Sequence, residues 1–489
     1  MTELIVETRA GKVEGEQISR MRRFRGIPYA HAPRFEAPAA VEPWEGVRPA
    51  IRFGHQCPQH MGPKIRPEMF DGPDHGEDCL MLNIWSPDGG ADTGKKPVMV
   101  WIHGGAFMGG STNPYNASKL AAEGDIIVVS INYRLGVLGF VNFGEALGLP
   151  SIPSNLGLRD QVAALEWVRD NIAAFGGDPG RVTICGQSAG SMSVSLLMLS
   201  PKARGLFHGA IMQSGAVSLI HSRDRSLEDA RRFIALLDLN QGDLEQLKTM
   251  PLTDLLVAQF NTGKALGSGI PTAPWWDDDL LPASIEEAHA HNVAQVPLLA
   301  GATRDEIRLF DLMPGSMLPS KWEELDGLLT SQLPAAHAAQ VQAAYPRSSK
   351  GRIALASDLT FGMPTRNFAE RHAASQPTWF YRFDYSHPIA GATHGLDLTV
   401  SWPFRGFKMA LVRGGPDSGR RAALGRRMRV HVANFVRSGN PGADWPAYDA
   451  QGQQVRIYNL ADRVEANPEA ARFAAWAGRD VMPGEALQG

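Results

Sequence analysis

A chain of 489 residues, 44% apolar and 20% charged, has ample material for a buried core and neither the bias of a fibrous nor that of a disordered protein. Its formal net charge of −3 gives no reason to expect nucleic acid or an anionic membrane surface as a partner. No apolar run approaches the roughly 20 residues that a bilayer-spanning helix needs.

The first residues lack a basic stretch followed by an apolar one, so a cytoplasmic protein is expected. Three cysteines, Cys57, Cys79 and Cys185, are too few for a disulfide scaffold; one bridge, Cys57–Cys79, is left open and would leave Cys185 over. There is no internal repeat.

Residues 1–30 alternate apolar and polar positions (Leu4, Val6, Val13, Ile18) around Gly11 and Gly15, which predicts short antiparallel strands. Leu80–Trp85, Val98–Ile102 and Ile126–Ile131 are compact apolar runs of strand length. Asn155–Phe175 carries Leu158, Val162, Leu165, Val168 and Ile172 at helical spacing. Strands are predicted again at Val182–Ile184, Gly209–Met212, Val296–Gly301 and Thr378–Phe383, with helical stretches near 225–295 and 320–375. Ala423–Arg437 reads as a late helix with Gly439 as its C-cap. Strands alternating with helices predict an α/β fold: a mostly parallel sheet covered on both faces. The two helical stretches are read as excursions from one domain, 1–489, over the active-site end of that sheet.

The chemistry centres on Gly186-Gln-Ser-Ala-Gly190, between a buried strand and a helix that begins near Met192. In that setting Gly-x-Ser-x-Gly is a nucleophile elbow, a turn so tight that its flanks must be nearly free of side chains. It lifts the Ser188 hydroxyl clear of the sheet and aims the next backbone N–H at the reacting oxygen. A serine hydroxyl is inert at neutral pH without a base, an acid to orient that base, and N–H donors for the oxyanion. The donors are expected where Val98–Ile102 runs into His103-Gly-Gly-Ala-Phe107, at Gly105 and Ala106, with Ala189 after the nucleophile.

Acid and base should follow the serine in that order. Asp305 and Glu306 end the strand that starts at Val296, and the residue pattern leaves the choice between them open. Asp277-Asp278-Asp279 reads as a solvated turn. His394, in the loop Gly391-Ala-Thr-His-Gly395, is the expected base, whereas His387 before a proline and His431 within a helix read as structural.

These motifs stand among others. Phe24-Arg-Gly-Ile-Pro-Tyr29, Glu77-Asp-Cys-Leu-Met-Leu-Asn-Ile-Trp85, Trp101-Ile-His-Gly-Gly-Ala-Phe107 and Asn132-Tyr-Arg-Leu-Gly136 come first. Phe175-Gly-Gly-Asp-Pro179, Gln213-Ser-Gly215 and Gly391-Ala-Thr-His394 follow, in an order that resembles the type-B carboxylesterase/cholinesterase family across most of the chain. The resemblance implies an α/β-hydrolase fold and a triad of Ser188, Glu306 and His394, with Glu306 preferred over Asp305. It places the oxyanion hole at Gly105, Ala106 and Ala189, and implies that Ser214 and Asp397 brace the triad. Arg34–Glu77 and Arg134–Asp160 match the family's structural ion pairs, and Cys57 and Cys79 match its first disulfide.

One departure concerns the residue before the nucleophile, where the family usually has Glu and this chain has Gln187. With no tryptophan between Cys57 and Cys79 either, a site for quaternary ammonium esters is not expected. Phe107, Trp275, Trp276, Phe310, Met313 and Phe361 are candidates for an apolar pocket that takes aromatic or short-to-medium acyl esters. The same triad would serve carbamates or amides. A non-catalytic adhesion module of this family would lack the nucleophile, and this chain keeps it. The expected partner is a small-molecule ester, met by a monomer or homodimer with no cofactor and no metal.

Overall fold

The strands form because their apolar runs can be buried on two sides at once. In β7 (Lys96–Ile102) every residue is buried, with Val98, Val100 and Ile102 in one apolar cluster and Met99 and Trp101 in another. The neighbouring β8 (Ile127–Ile131) splits the same way: Ile127, Val129 and Ile131 face the first cluster and Val128 the second. The two-residue period assigns alternate side chains to the two faces of one sheet, so a strand buried on both faces reads as a continuous apolar run.

The computed structural model describes residues 4–60, 74–88, 94–265, 270–291, 293–311, 318–388, 390–402, 417–476, 478–479 and 481. Its N-terminal strands are β1 (Ile5–Glu7), β2 (Lys12–Glu14), β3 (Glu16–Ile18), β4 (Met21–Pro28) and β5 (Val47–Pro49). After β6 (Met81–Pro87), β7 and β8 come β9 (Gly177–Gln187), β10 (Gly209–Gln213), β11 (Leu298–Thr303) and β12 (Thr378–Phe383). The last two are β13 (Gln454–Tyr458) and β14 (Arg463–Ala466).

Strands β1, β2 and β5 make a small sheet, and the other 11 form one large sheet in the order β14-β13-β12-β11-β10-β9-β7-β8-β6-β4-β3. From β8 across to β13 neighbours run parallel. The other strands of the large sheet pair antiparallel, as the N-terminal alternation predicts for β3 and β4.

The helix Leu156–Asn171 buries Leu158, Val162, Leu165 and Val168 on the first cluster's side and runs into a 3₁₀ turn at Ile172–Phe175. The helix Ser418–Ser438, longer than predicted, covers the other face with Leu424, Met428 and Phe435. It ends on Gly439 at φ +72°, whose N–H bonds the Phe435 carbonyl. The predicted excursions are helical: Arg223–Leu236, Leu244–Thr249, Leu252–Ala265 and Ile285–His291 in the first. The second holds Trp322–Gln332, Ala335–Ala343, Ser349–Ser357 and Met363–Ala373, with a π-helical turn at Asp358–Gly362.

Asp277-Asp278-Asp279 is a turn, but not merely a solvated one. Asp277 accepts from Asn155 Nδ2 at 2.8 Å and from the Leu281 N–H at 2.8 Å, and Asp279 pairs with Arg159 and Lys202. Among the described residues Cys57, Cys79 and Cys185 are buried free thiols, and no helix is long and apolar enough to cross a membrane.

Candidate active site

Four adjacent parallel strands, β7, β9, β10 and β11, end at the same edge of the sheet, in register at Ile102↔Gly186, Gln213↔Gln187 and Gln213↔Gly301. Loops leaving that edge carry the candidate residues, where open α/β sheets hold their ligands.

Ser188 follows β9 directly and caps the helix Ala189–Leu199. Its backbone is at φ +59°, ψ −129°, a conformation that costs a non-glycine residue about 1–3 kcal/mol. Hydrogen bonds on both sides hold it there: Ser188 N–H to the Gln213 carbonyl at 2.9 Å and Met192 N–H to the Ser188 carbonyl at 2.9 Å. The helix starts three residues earlier than its apolar spacing predicts, because the turn itself opens it. Position 190 must be glycine, since a Cβ there would run into the Ile102 carbonyl oxygen of β7.

The loop after β7 lies against this elbow; a Cβ on Gly104 would stand 2.9 Å from Ser188 Cβ. Its backbone is strained over three residues, Gly105 (φ +128°), Ala106 (φ +56°) and Phe107 (φ +59°). Only glycine suits position 105, where a side chain would collide with the Gly109 carbonyl. Tyr133 fixes the loop from below, its hydroxyl donating to the His103 carbonyl at 2.7 Å, while the Gly136 N–H donates to the Phe107 carbonyl at 2.7 Å. Burial pushes the His103 imidazole down to about 4, so the ring is neutral as it stacks on Tyr133. The N–H groups of Gly105, Ala106 and Ala189 donate to nothing among the described residues. Three free donors thus border the serine.

Of the two carboxylates after β11, Glu306 meets the histidine. Fully buried, it accepts the Thr303 N–H on Oε1 at 2.6 Å and His394 Nδ1 on Oε2 at 2.5 Å. Asp305 turns away to a bidentate pair with Arg304 and accepts the Ala392 N–H at 3.2 Å, which ties the histidine loop to the glutamate loop. His387 closes a turn with Gly391 and His431 bonds the Tyr458 hydroxyl, so neither reaches the site.

The other nitrogen of His394 does not bond Ser188. Nε2 lies 3.1 Å from the side-chain amide nitrogen of Gln187, and among the described residues no hydrogen bond joins the Ser188 hydroxyl to the imidazole. Asp397 is buried close by, accepting from Tyr381 at 3.0 Å and from the Leu398 N–H at 2.8 Å. Burial pushes its carboxyl up to about 6, and the Glu306 charge adds to the push. Ser214 follows β10 with its buried hydroxyl unpartnered among the described residues, and no hydrogen bond links it to Asp397.

The aromatic candidates divide. Phe361, on the π-helical turn, and Phe310 lie with ring centroids 4.5 and 5.3 Å from His394. Phe107 is fully buried edge-to-face on Phe140, so it has no surface to offer a ligand. Trp275 is buried too, both backbone groups bonded to the Asn155 side chain, and half-buried Trp276 packs on the main core. Met313 lies outside the described residues.

Sequence reasoning singled out Gln187 without its contact to the imidazole, and it missed the props Thr303, Tyr133 and Tyr381. Tyr133 stood in a recognised motif, but nothing local marks its hydroxyl as the support of a loop 30 residues away.

A parallel sheet that delivers a serine elbow, open N–H donors and an acid–histidine pair to one edge defines an α/β-hydrolase of the serine class. The carboxylesterase family model matches residues 2–476, and the chain belongs to that family. It is 38% identical over 501 residues to the para-nitrobenzyl esterase of Bacillus subtilis (strain 168), covering 96% of this chain and 98% of that one. It is also 32% identical to the liver carboxylesterase of Sus scrofa, over 93% and 89% of the two chains. Among solved structures, a PNB esterase superposes with a TM-score of 0.86 at 36% identity, over 97% of this chain and all of the other. A Geobacillus stearothermophilus carboxylesterase gives a TM-score of 0.83 at 34% identity, again over 97% and 100%. The protein is an ester-hydrolysing serine hydrolase.

Proposed function

We propose that Ser188 is the nucleophile of this esterase, His394 its general base and Glu306 the acid that orients the imidazole. The N–H groups of Gly105, Ala106 and Ala189 hold the oxyanion. The observation that carries the reading is the Glu306–His394 bond of 2.5 Å formed beside the strained serine turn.

His394 Nε2 takes the Ser188 proton as Oγ attacks the ester carbonyl, and the imidazolium then protonates the departing alkoxide or phenoxide. Water attacks the acyl-enzyme by the same route, passing its proton to Nε2, and Ser188 is returned with the acid as second product. Asp397 supports this arrangement by placing a second acidic group next to the Glu306–His394 pair.

Phe310 and Phe361 favour neutral esters with an aromatic or short-to-medium acyl group, because both rings border the base and neither carries charge. The name of the Bacillus relative makes p-nitrobenzyl esters the first to try. The buried free thiols of Cys57 and Cys79 suit a reducing, cytoplasmic setting.

The test is turnover of p-nitrophenyl and p-nitrobenzyl esters of graded acyl length, beside aryl carbamates and anilides. Ser188→Ala should abolish ester turnover and labelling by a fluorophosphonate while the circular dichroism stays that of the parent. Activity that survives in the pure variant would overturn the assignment.

A further inference from the structure

Nε2 of His394 has one lone pair and two candidates for it. Because Nδ1 donates to Glu306, the neutral imidazole carries its proton on Nδ1 and accepts at Nε2. The group that meets Nε2 is the Gln187 amide nitrogen, at 3.1 Å. An amide N–H can only donate, so this pairing satisfies both atoms, whereas the flipped amide would set two acceptors face to face. The Ser188 hydroxyl, which must also donate to Nε2 before it can attack, has no such bond.

The imidazole cannot easily serve both by tilting. Phe361 lies 4.5 Å from it and Phe310 5.3 Å, and Nδ1 is anchored on a fully buried carboxylate. The Gln187 side chain is the part left to move, since its backbone is held in register with Gln213 of β10 and, among the described residues, its amide has no second anchor beyond the imidazole.

We propose that Gln187 is a positioning residue that holds the base idle in the free enzyme. Its amide occupies Nε2 until a bound acyl group displaces it, and Ser188 then takes the vacated lone pair. This rests on the triad reading above. An N–H donor aimed at Nε2 also competes with a proton for that lone pair, whereas a carboxylate at the same position would accept from a protonated Nε2.

The titratable groups facing the imidazole are Glu306 at Nδ1 and Asp397 from the helix Leu396–Ser401. Farther out, Asp305 stands with Arg304 and Arg308 on the glutamate loop. All are unchanged in the variants below.

Two substitutions separate the idea from a packing role. Gln187→Met keeps the volume and removes the donor. It should raise the second-order rate of phosphonylation by a small, unbranched fluorophosphonate about three- to tenfold at pH 7.5, the worth of one neutral hydrogen bond. Gln187→Glu keeps the shape and sets a carboxylate against the imidazolium. It should move the acid limb of kcat/KM for p-nitrophenyl acetate up by about one pH unit or more. A Gln187→Met rate equal to or below the parent's, or an unmoved acid limb in Gln187→Glu, would overturn the proposal; if one variant does not fold, the other decides. Ser188→Ala in each background tests the underlying triad separately, because labelling that persists there condemns the triad whatever Gln187 does.

Discussion

His394 is held from several directions, by Glu306 at Nδ1, Gln187 at Nε2 and two phenyl rings beside the imidazole. The adjacent carboxylates Asp305 and Glu306 have been given different work by the twist of one loop, and substitution should expose it. Glu306→Gln removes the acceptor that selects the imidazole tautomer and should lower kcat by about 10³–10⁴-fold, against a mild loss for Asp305→Asn, whose partner is Arg304. Comparable losses in both would contradict the assignment. Asp397 makes a prediction of the opposite kind. Its carboxyl is raised to about 6 by burial, so its folded form binds a proton more tightly than its unfolded form. The resulting stability is present at acid pH and disappears as pH rises through 6. Asp397→Asn, which mimics the protonated acid, should therefore gain on the parent by about 2 kcal/mol between pH 4 and pH 8. Urea unfolding at a series of pH values checks this, and a constant difference would refute it.

At the scale of elements, the strained stretch 105–107 survives because its surroundings hold it. Arg134 and Asp160 form a fully buried bidentate pair of 2.7 and 2.8 Å, and Asp160 also takes the Arg134 N–H at 3.0 Å. That pair anchors the Asn132–Gly136 segment, from which Tyr133 and Gly136 grip the donor loop. Removing one partner leaves a buried charge unmatched, a loss of about 3–5 kcal/mol. Asp160→Ala should thus destabilise the fold by that amount in urea, and the folded fraction should also lose kcat as the donors drift. Full kcat in folded Asp160→Ala would show that the loop holds itself. Arg34–Glu77, the other pair expected from the sequence, is formed but half-exposed, so its deletion should matter less.

For the whole molecule, one large sheet with an apolar cluster on each face connects residues 16 to 466, and the second excursion returns to it through Phe361. The buried cysteines test the chemical state of that assembly. With Cys57, Cys79 and Cys185 all reduced, thiol titration of protein isolated without reductant and unfolded in guanidinium should count three per chain. A count of one would mean a Cys57–Cys79 bridge and a more oxidising setting than the cytoplasm.

Much of this was legible before any coordinates. The elbow and the donor loop are short, continuous motifs in which a glycine either fits or collides. The central strands declare themselves because full burial on both faces demands an unbroken apolar run. The choice of Glu306 over Asp305 came from resemblance alone, since adjacent carboxylates have the same chemistry and differ only in where a loop points them. The contacts that decide the site join residues far apart in the chain, 88 positions for Glu306–His394 and 207 for Gln187–His394. Local pattern cannot rank such pairs. The same limit applies to the aromatics: hydrophobicity marked Phe107 and Phe361 alike, and only packing buried one on Phe140 and set the other against His394. Thus the amino-acid order by itself determined the serine elbow and the glycine-rich loop beside it, where steric demand is local. Tertiary structure alone decided which acid, which amide and which rings surround His394, because those are distances between strand ends brought together by the sheet.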